Sequence, residues 1–117
     1  MLHIVKAGKK GEPVFVVLHG TGGTEHDLIP LAEMLNSDYS ILSIRGNVQE
    51  GGMNRYFKRH GEGQYDMEDL EIRGKELLDF IKESAEKHDF KTEDAIPIGF
   101  SNGSNIAINM MLRDEAD

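Results

Sequence analysis

The pentapeptide Gly99-Phe100-Ser101-Asn102-Gly103 is the part of the sequence best suited to covalent chemistry. It fits the pattern G-x-S-x-G, in which a serine lies on a tight turn between a strand and a helix. Serine is a weak nucleophile until a neighbouring base removes its proton. The helix that follows would offer free N–H groups and a partial positive charge to a developing oxyanion. The motif therefore predicts Ser101 as a catalytic nucleophile, with Gly99 and Gly103 allowing the strand and the helix to approach closely.

A second glycine-rich loop, His19-Gly20-Thr21-Gly22-Gly23, follows the apolar run at 14–18. Its glycines would let the backbone approach a bound carbonyl group. A phosphate-binding loop is the alternative, but the segment lacks both the Walker lysine and the G-x-G-x-x-G spacing. We expect His19 to order this loop rather than to act as the base.

The elements that must position these loops alternate between short apolar strands and helical stretches. This pattern predicts an α/β fold with mostly parallel strands flanked by helices. The predicted strands are 2–5, 14–18, 41–44 and 95–100. Residues 45–65 contain five glycines and are expected to be irregular.

Three helices are predicted. The first begins near Thr24, which can form a cap with Asp27, and Pro30 must lie near its first turn. The second is capped by Asp66 with Asp69. The apolar stripe of the second helix consists of Leu70, Gly74, Leu77, Leu78, Ile81 and Ala85. The third follows Ser101 and carries Ile106, Ala107, Met110 and Met111.

Composition limits the class of protein. A length of 117 residues predicts one domain, and a net charge of −8 argues against a nucleic-acid partner, which requires a basic patch. The absence of cysteine excludes disulfides and thiolate chemistry, and no run reaches the ~18 apolar residues of a membrane span. No secretory signal is visible, which predicts a cytoplasmic location. No metal-ligand spacing occurs, so we expect neither a metal nor a cofactor.

Together these segments resemble the phospholipase/carboxylesterase family of α/β-hydrolases, in particular the bacterial carboxylesterases related to acyl-protein thioesterases. The residues that carry the resemblance are 16–23, Arg45-Gly46-Asn47 with Glu50-Gly51-Gly52, and 99–103. The resemblance implies a hydrolase of carboxylic esters or thioesters that acts through an acyl-enzyme on Ser101. It also implies that the backbone N–H groups of Thr21 and Asn102 form the oxyanion hole, the second of them contributed by the residue after the nucleophile.

The resemblance further suggests that the segment from Arg45 to Phe57 borders the acyl or alcohol pocket. Candidates for the pocket wall are Arg45, Met53, Tyr56 and Phe57. The alternative, that this segment packs on its own side chains, stays open at this stage.

The family orders its catalytic triad as serine, aspartate, histidine. All five histidines precede Ser101 here, and residues 102–117 contain none. We therefore expect a partial α/β-hydrolase domain over 1–117 that ends after the elbow helix, lacks the later strands and is inactive as an isolated chain. The alternatives are a binding or interaction module with a vestigial elbow, and a flavodoxin-like phosphate binder that uses the loop at 20–24.

A sheet that lacks later strands would leave 95–100 as an apolar edge. Such edges pair readily with other chains. We expect a homo-oligomer through this edge or partial disorder, and a small-molecule ester or thioester as the substrate.

Overall fold

The computed structural model describes residues 1–61, 64–100 and 102–116, with the backbone alone at 59–61, 64–65 and 110–116. Its central sheet has four strands: β1 (His3–Lys6), β2 (Val14–Leu18), β3 (Ser40–Ile44) and β8 (Ala95–Gly99). Their spatial order is β1-β3-β2-β8. Strand β2 runs parallel to β3 and β8, whereas β1 is antiparallel to β3. The predicted mostly parallel α/β sheet is confirmed.

Strand β2 is buried along its whole length because the sheet is covered on both faces. Successive side chains of a strand point to opposite faces. Val14, Val16 and Leu18 pack in one core cluster with residues that include Leu77 and Ile106. Phe15 and Val17 pack on the other face in a second cluster, with Ile29, Ala32 and Ile41. Because β2 lies between β3 and β8, the loop that follows β2 leaves the sheet at its centre.

The long helix α2 (Met67–His88) begins and packs as predicted. The side chain of Asp66 caps it by accepting a hydrogen bond from the Asp69 N–H at 2.9 Å. Leu70, Gly74, Leu77, Ile81 and Ala85 of the expected stripe are buried. The helix ends where Asp89 takes a left-handed conformation. Helix α3 (Asn102–Ala116) follows β8 directly after the elbow, and a 3-10 turn (Thr92–Asp94) precedes β8.

Helix α1 (Ile29–Leu35) starts later than expected. Thr24 and Asp27 form a separate turn, in which the Asp27 carboxylate accepts from the Thr24 N–H at 3.2 Å, and no side chain caps α1. Pro30 lies in the first turn of α1, where its missing N–H costs nothing. Within the described residues, no helix is long and apolar enough to cross a membrane.

The expectation of an irregular segment at 45–65 was wrong. Strand β4 (Val48–Glu50) pairs with β5 (Met53–Arg55), and β6 (Arg59–Gly61) pairs with β7 (Gln64–Tyr65). Gly51 and Gly52 join β4 to β5 with φ values of 59° and 80°. Two positive φ angles in a two-residue loop are typical of a hairpin turn that glycine makes cheaply.

Candidate active site

The two predicted loops meet at the C-terminal edge of the sheet. Strands β2 and β8 are parallel neighbours, with Leu18 opposite Gly99. The glycine loop (19–23) and the elbow (99–103) therefore leave the sheet side by side. Ser101 itself lies outside the described residues.

Gly99 and Gly103 lie where any side chain would collide with backbone. A Cβ atom on Gly99 would lie 2.7 Å from the Ser104 Cα atom. A Cβ atom on Gly103 would overlap the carbonyl oxygen of Leu18. The elbow helix thus packs against the end of β2 at a distance that only glycine permits.

The glycine loop is fixed by the β4–β5 hairpin. The Gly22 N–H donates to the Asn54 carbonyl at 2.9 Å, and the Asn54 side chain donates to the Gly23 carbonyl at 2.9 Å. Gly22 has a φ of 82°, which disfavours residues with a side chain. The Arg55 guanidinium donates to the Thr21 hydroxyl at 2.5 Å.

At this edge, the part of the chain that the structure describes leaves the N–H groups of Thr21 and Asn102 without a partner. Asn102 is the first residue of α3, so its N–H points out of the positive end of a 15-residue helix. Such donors are the kind that can stabilise an oxyanion.

His19 is buried, and both of its ring nitrogens are engaged. Nδ1 lies 2.6 Å from the Gly20 carbonyl and must carry the proton, while Nε2 accepts from the Gly46 N–H at 2.9 Å. Burial lowers the pKa of His19 below its usual 6.5. A neutral ring with both nitrogens bonded to backbone supports the loop-ordering interpretation of His19 and leaves no free nitrogen to act as a base.

The four predicted pocket residues occupy three different environments. Met53 is exposed and lies over the glycine loop, since a Cβ atom on Gly22 would meet its sulfur at 3.5 Å. Tyr56 and Phe57 were expected to line the pocket wall, but their side chains are buried in the core. There they belong to a cluster that includes residues of α2 and α3. Burial raises the pKa of the Tyr56 hydroxyl. Arg45 forms an ion pair with the buried Glu25 at 2.7 Å, which lowers the pKa of that carboxyl.

An open depression of about 360 Å³ lies beside the glycine loop. Its lining consists of residues 20–23, Asp27, Leu28 and Phe100. Phe100 is 66% exposed, and a Cβ atom on Gly20 would lie 3.0 Å from its ring. This depression can accept an apolar group next to the free Thr21 N–H.

Sequence reasoning missed Glu25, Asn54, Arg55, Leu28 and Phe100 as contributors to the site. The Gly51-Gly52 pair signals a hairpin, and that signal would have placed Asn54 and Arg55 on its second strand. No local pattern indicates that Arg55 turns inward, since an arginine is seldom buried unless partners surround it.

The sheet order, the elbow glycines and the paired loops define the chain as part of an α/β-hydrolase fold. No protein-family model matches the chain. It is 47% identical over 111 residues to the Bacillus subtilis (strain 168) protein named "Putative hydrolase MhqD", a match that covers 95% of this chain and 55% of that protein.

Solved structures agree with this relationship. The crystal structure of the Bacillus cereus carboxylesterase matches with a TM-score of 0.90 and 50% identity, over 92% of this chain and 51% of that chain. YahD, solved with malic acid, matches with a TM-score of 0.91 and 44% identity, over 96% of this chain and 57% of that chain. The chain therefore spans about half the length of these relatives, and it corresponds to the N-terminal part of a carboxylesterase-like α/β-hydrolase.

Proposed function

We propose that this chain supplies the nucleophile and the oxyanion hole of a serine carboxylesterase that acts on small carboxylic esters or thioesters. The observation that carries the proposal is a pair of N–H groups that find no acceptor among the described residues: that of Thr21 in the glycine loop and that of Asn102 in the adjacent elbow. The similarity to the Bacillus cereus carboxylesterase supports the same activity.

The proposed mechanism proceeds through an acyl-enzyme. The Ser101 hydroxyl oxygen attacks the carbonyl carbon while a histidine base takes its proton. The negative charge that develops on the carbonyl oxygen is held by the N–H groups of Thr21 and Asn102. The alcohol or thiol then leaves with the proton, and water repeats the sequence to release the acid.

Neither the histidine that follows the serine in the family's triad order nor a free His19 nitrogen is found within residues 1–117. Residues 102–117 contain no histidine, and both ring nitrogens of His19 are engaged in backbone hydrogen bonds. We therefore propose that residues 1–117 alone are inactive, apart from residual catalysis of the kind an oxyanion hole provides.

The experiment compares ester hydrolysis by the whole gene product that contains residues 1–117 with that of two serine variants. Ser101→Ala is expected to lower kcat on p-nitrophenyl acetate by a factor on the order of 10⁶, as loss of a triad serine does. Ser104→Ala, three residues later in the sequence, is the matched control and should retain activity. Equal activity of Ser101→Ala and the wild type would overturn the proposal.

A further inference from the structure

Three consecutive residues of the hairpin, Asn54, Arg55 and Tyr56, contact both halves of the proposed oxyanion hole. Toward the glycine loop, Asn54 accepts from the Gly22 N–H and donates to the Gly23 carbonyl, both at 2.9 Å. Arg55 donates to the Thr21 hydroxyl at 2.5 Å. The loop is thus bonded to the 54–56 segment at three successive positions.

Toward the elbow, the Tyr56 N–H donates to the side-chain oxygen of Asn102 at 2.7 Å. The Tyr56 hydroxyl accepts from the His19 N–H at 3.0 Å and donates to the Ile44 carbonyl at 2.5 Å. Asn102 and Tyr56 are each 2% exposed, so water does not compete for these bonds. Adjacent residues therefore hold Thr21 on one side and Asn102 on the other.

The side chain of Arg55 has little freedom to move. It is 2% exposed, donates to the Phe57 carbonyl at 3.0 Å and lies 3.1 Å from the Glu50 carboxylate. Its guanidinium carbon also lies 5.8 Å from the centre of the Phe57 ring. A buried charge is expensive unless several partners fix it, so the group that holds the Thr21 hydroxyl is itself rigid.

The bonds inside the glycine loop cannot set this spacing by themselves. The Gly23 N–H donates to the Gly20 carbonyl at 3.0 Å, which closes the turn but does not reach the elbow. Beyond the β2–β8 ladder, the described residues show one direct backbone bond between the end of β2 and the elbow, from the Phe100 N–H to the Leu18 carbonyl. That bond joins residues that precede Thr21 and Asn102 in the sequence, so it does not hold either donor directly.

We propose that the 54–56 segment sets the distance between the Thr21 and Asn102 N–H groups, and that the Asn102 side chain is a positioning residue in addition to its backbone role. The inference rests on the proposed function for its catalytic meaning. An error of about 1 Å in such a placement can cost on the order of 100-fold in rate.

The test is amide hydrogen exchange on the ¹⁵N-labelled 117-residue chain. Asn102→Leu removes the acceptor of the Tyr56 N–H at similar volume, whereas Asn102→Asp keeps an oxygen there. We expect Gly22 N–H exchange to accelerate by about tenfold in Asn102→Leu, the equivalent of losing one buried hydrogen bond. Exchange at Phe90, whose N–H is bonded to the Ala85 carbonyl at the end of α2, should stay unchanged because that helix end can open without breaking the Tyr56–Asn102 bond. Asn102→Asp should stay near the wild type at both amides.

Two results would overturn the inference. One is Gly22 exchange that is unaffected in Asn102→Leu or that changes only in step with Phe90. The other is a wild-type chain without protected amides, which would mean that these contacts do not form in solution.

Kinetics of the whole gene product separate this inference from the proposed function. A positioning role predicts that Asn102→Leu lowers kcat with little change in KM, because the oxyanion exists only in the transition state and the intermediate. Asn102→Asp should recover part of kcat, and a pure KM effect would contradict positioning. A wild-type gene product without esterase activity would refute the proposed function, while the exchange experiment would still decide whether the segment couples loop and elbow.

Discussion

At the scale of single residues, His19 gives the glycine loop a pH-dependent stability. Burial holds the His19 pKa below 6.5, so below that pH the unfolded chain binds a proton that the folded chain does not. The free energy of unfolding should therefore fall as the pH drops below 6.5, until the folded pKa is reached. The slope from this one residue is at most about 1.4 kcal/mol per pH unit. Urea unfolding between pH 7 and pH 5 measures it.

The control for this prediction is the variant that lacks the buried imidazole. His19→Gln should be less stable than the wild type at pH 7 but should show a flatter pH profile. A wild-type slope that persists in His19→Gln would show that other groups cause it.

Gly103 provides a second prediction at this scale. Because a Cβ atom there would overlap the Leu18 carbonyl oxygen, Gly103→Ala should lower the free energy of unfolding by about 3 kcal/mol or more. The control is Gly11→Ala, where no atom lies within 4 Å and the φ of 88° alone should cost about 1 kcal/mol. Equal losses in the two variants, measured by urea unfolding, would contradict the close packing of the elbow.

At the scale of elements, the start of α2 depends on the Asp66 cap. Asp66→Ala removes the acceptor of the Asp69 N–H and should cost about 1 kcal/mol. Asp79→Ala is the matched control, since Asp79 pairs with Lys75 on an exposed face and such pairs contribute less than about 0.5 kcal/mol. Thermal unfolding followed by circular dichroism compares the two. A larger loss in Asp79→Ala would contradict the capping role.

The sequence predicts these elements where one local pattern decides the structure. The buried stripe of α2 follows from helical periodicity, and the buried strand β2 follows from a continuous apolar run. Both are confirmed. Helix α1 was misjudged because the Thr24–Asp27 pair satisfies its own turn instead of capping a helix. Residues 45–65 were misjudged because their glycines were interpreted as loop, whereas Gly51 and Gly52 form a hairpin turn.

The site is predictable in part for the same reason. The glycine loop and the elbow each follow a strand that an apolar run identifies. Their meeting at one edge of a parallel sheet could therefore be expected. The inward orientation of Arg55 and the burial of Tyr56 and Phe57 depend on long-range packing against α2 and α3, which one sequence does not reveal.

At the scale of the whole molecule, β8 is one of the two edge strands of the described sheet, and β1 is the other. Strand β8 pairs with β2 on one side. Ile96 within β8 and Phe100 directly after it are exposed. We expect the purified 117-residue chain to self-associate through this edge, because unpaired apolar strands template further pairing. Analytical ultracentrifugation should show a smaller average mass for Ile96→Lys than for the wild type.

The matched control is Ile72→Lys on α2, where the isoleucine is 54% exposed but distant from the sheet edge. It should leave the association unchanged. A wild-type chain that is monomeric at all concentrations tested would contradict association through β8.

If Ser101 is the nucleophile of a serine hydrolase, a reagent that reacts with activated serines should label it. The most direct measurement is the intact mass of the purified gene product before and after a fluorophosphonate probe, with peptide mapping of any adduct. A product of the 13.1 kDa expected for residues 1–117 should gain no adduct, and rapid labelling of it at Ser101 would contradict the inactivity of these residues alone, not the role of the serine. For a heavier product we expect one adduct on Ser101 and none in Ser101→Ala. A heavier product that stays unlabelled, or that is labelled at another residue, would contradict Ser101 as the nucleophile.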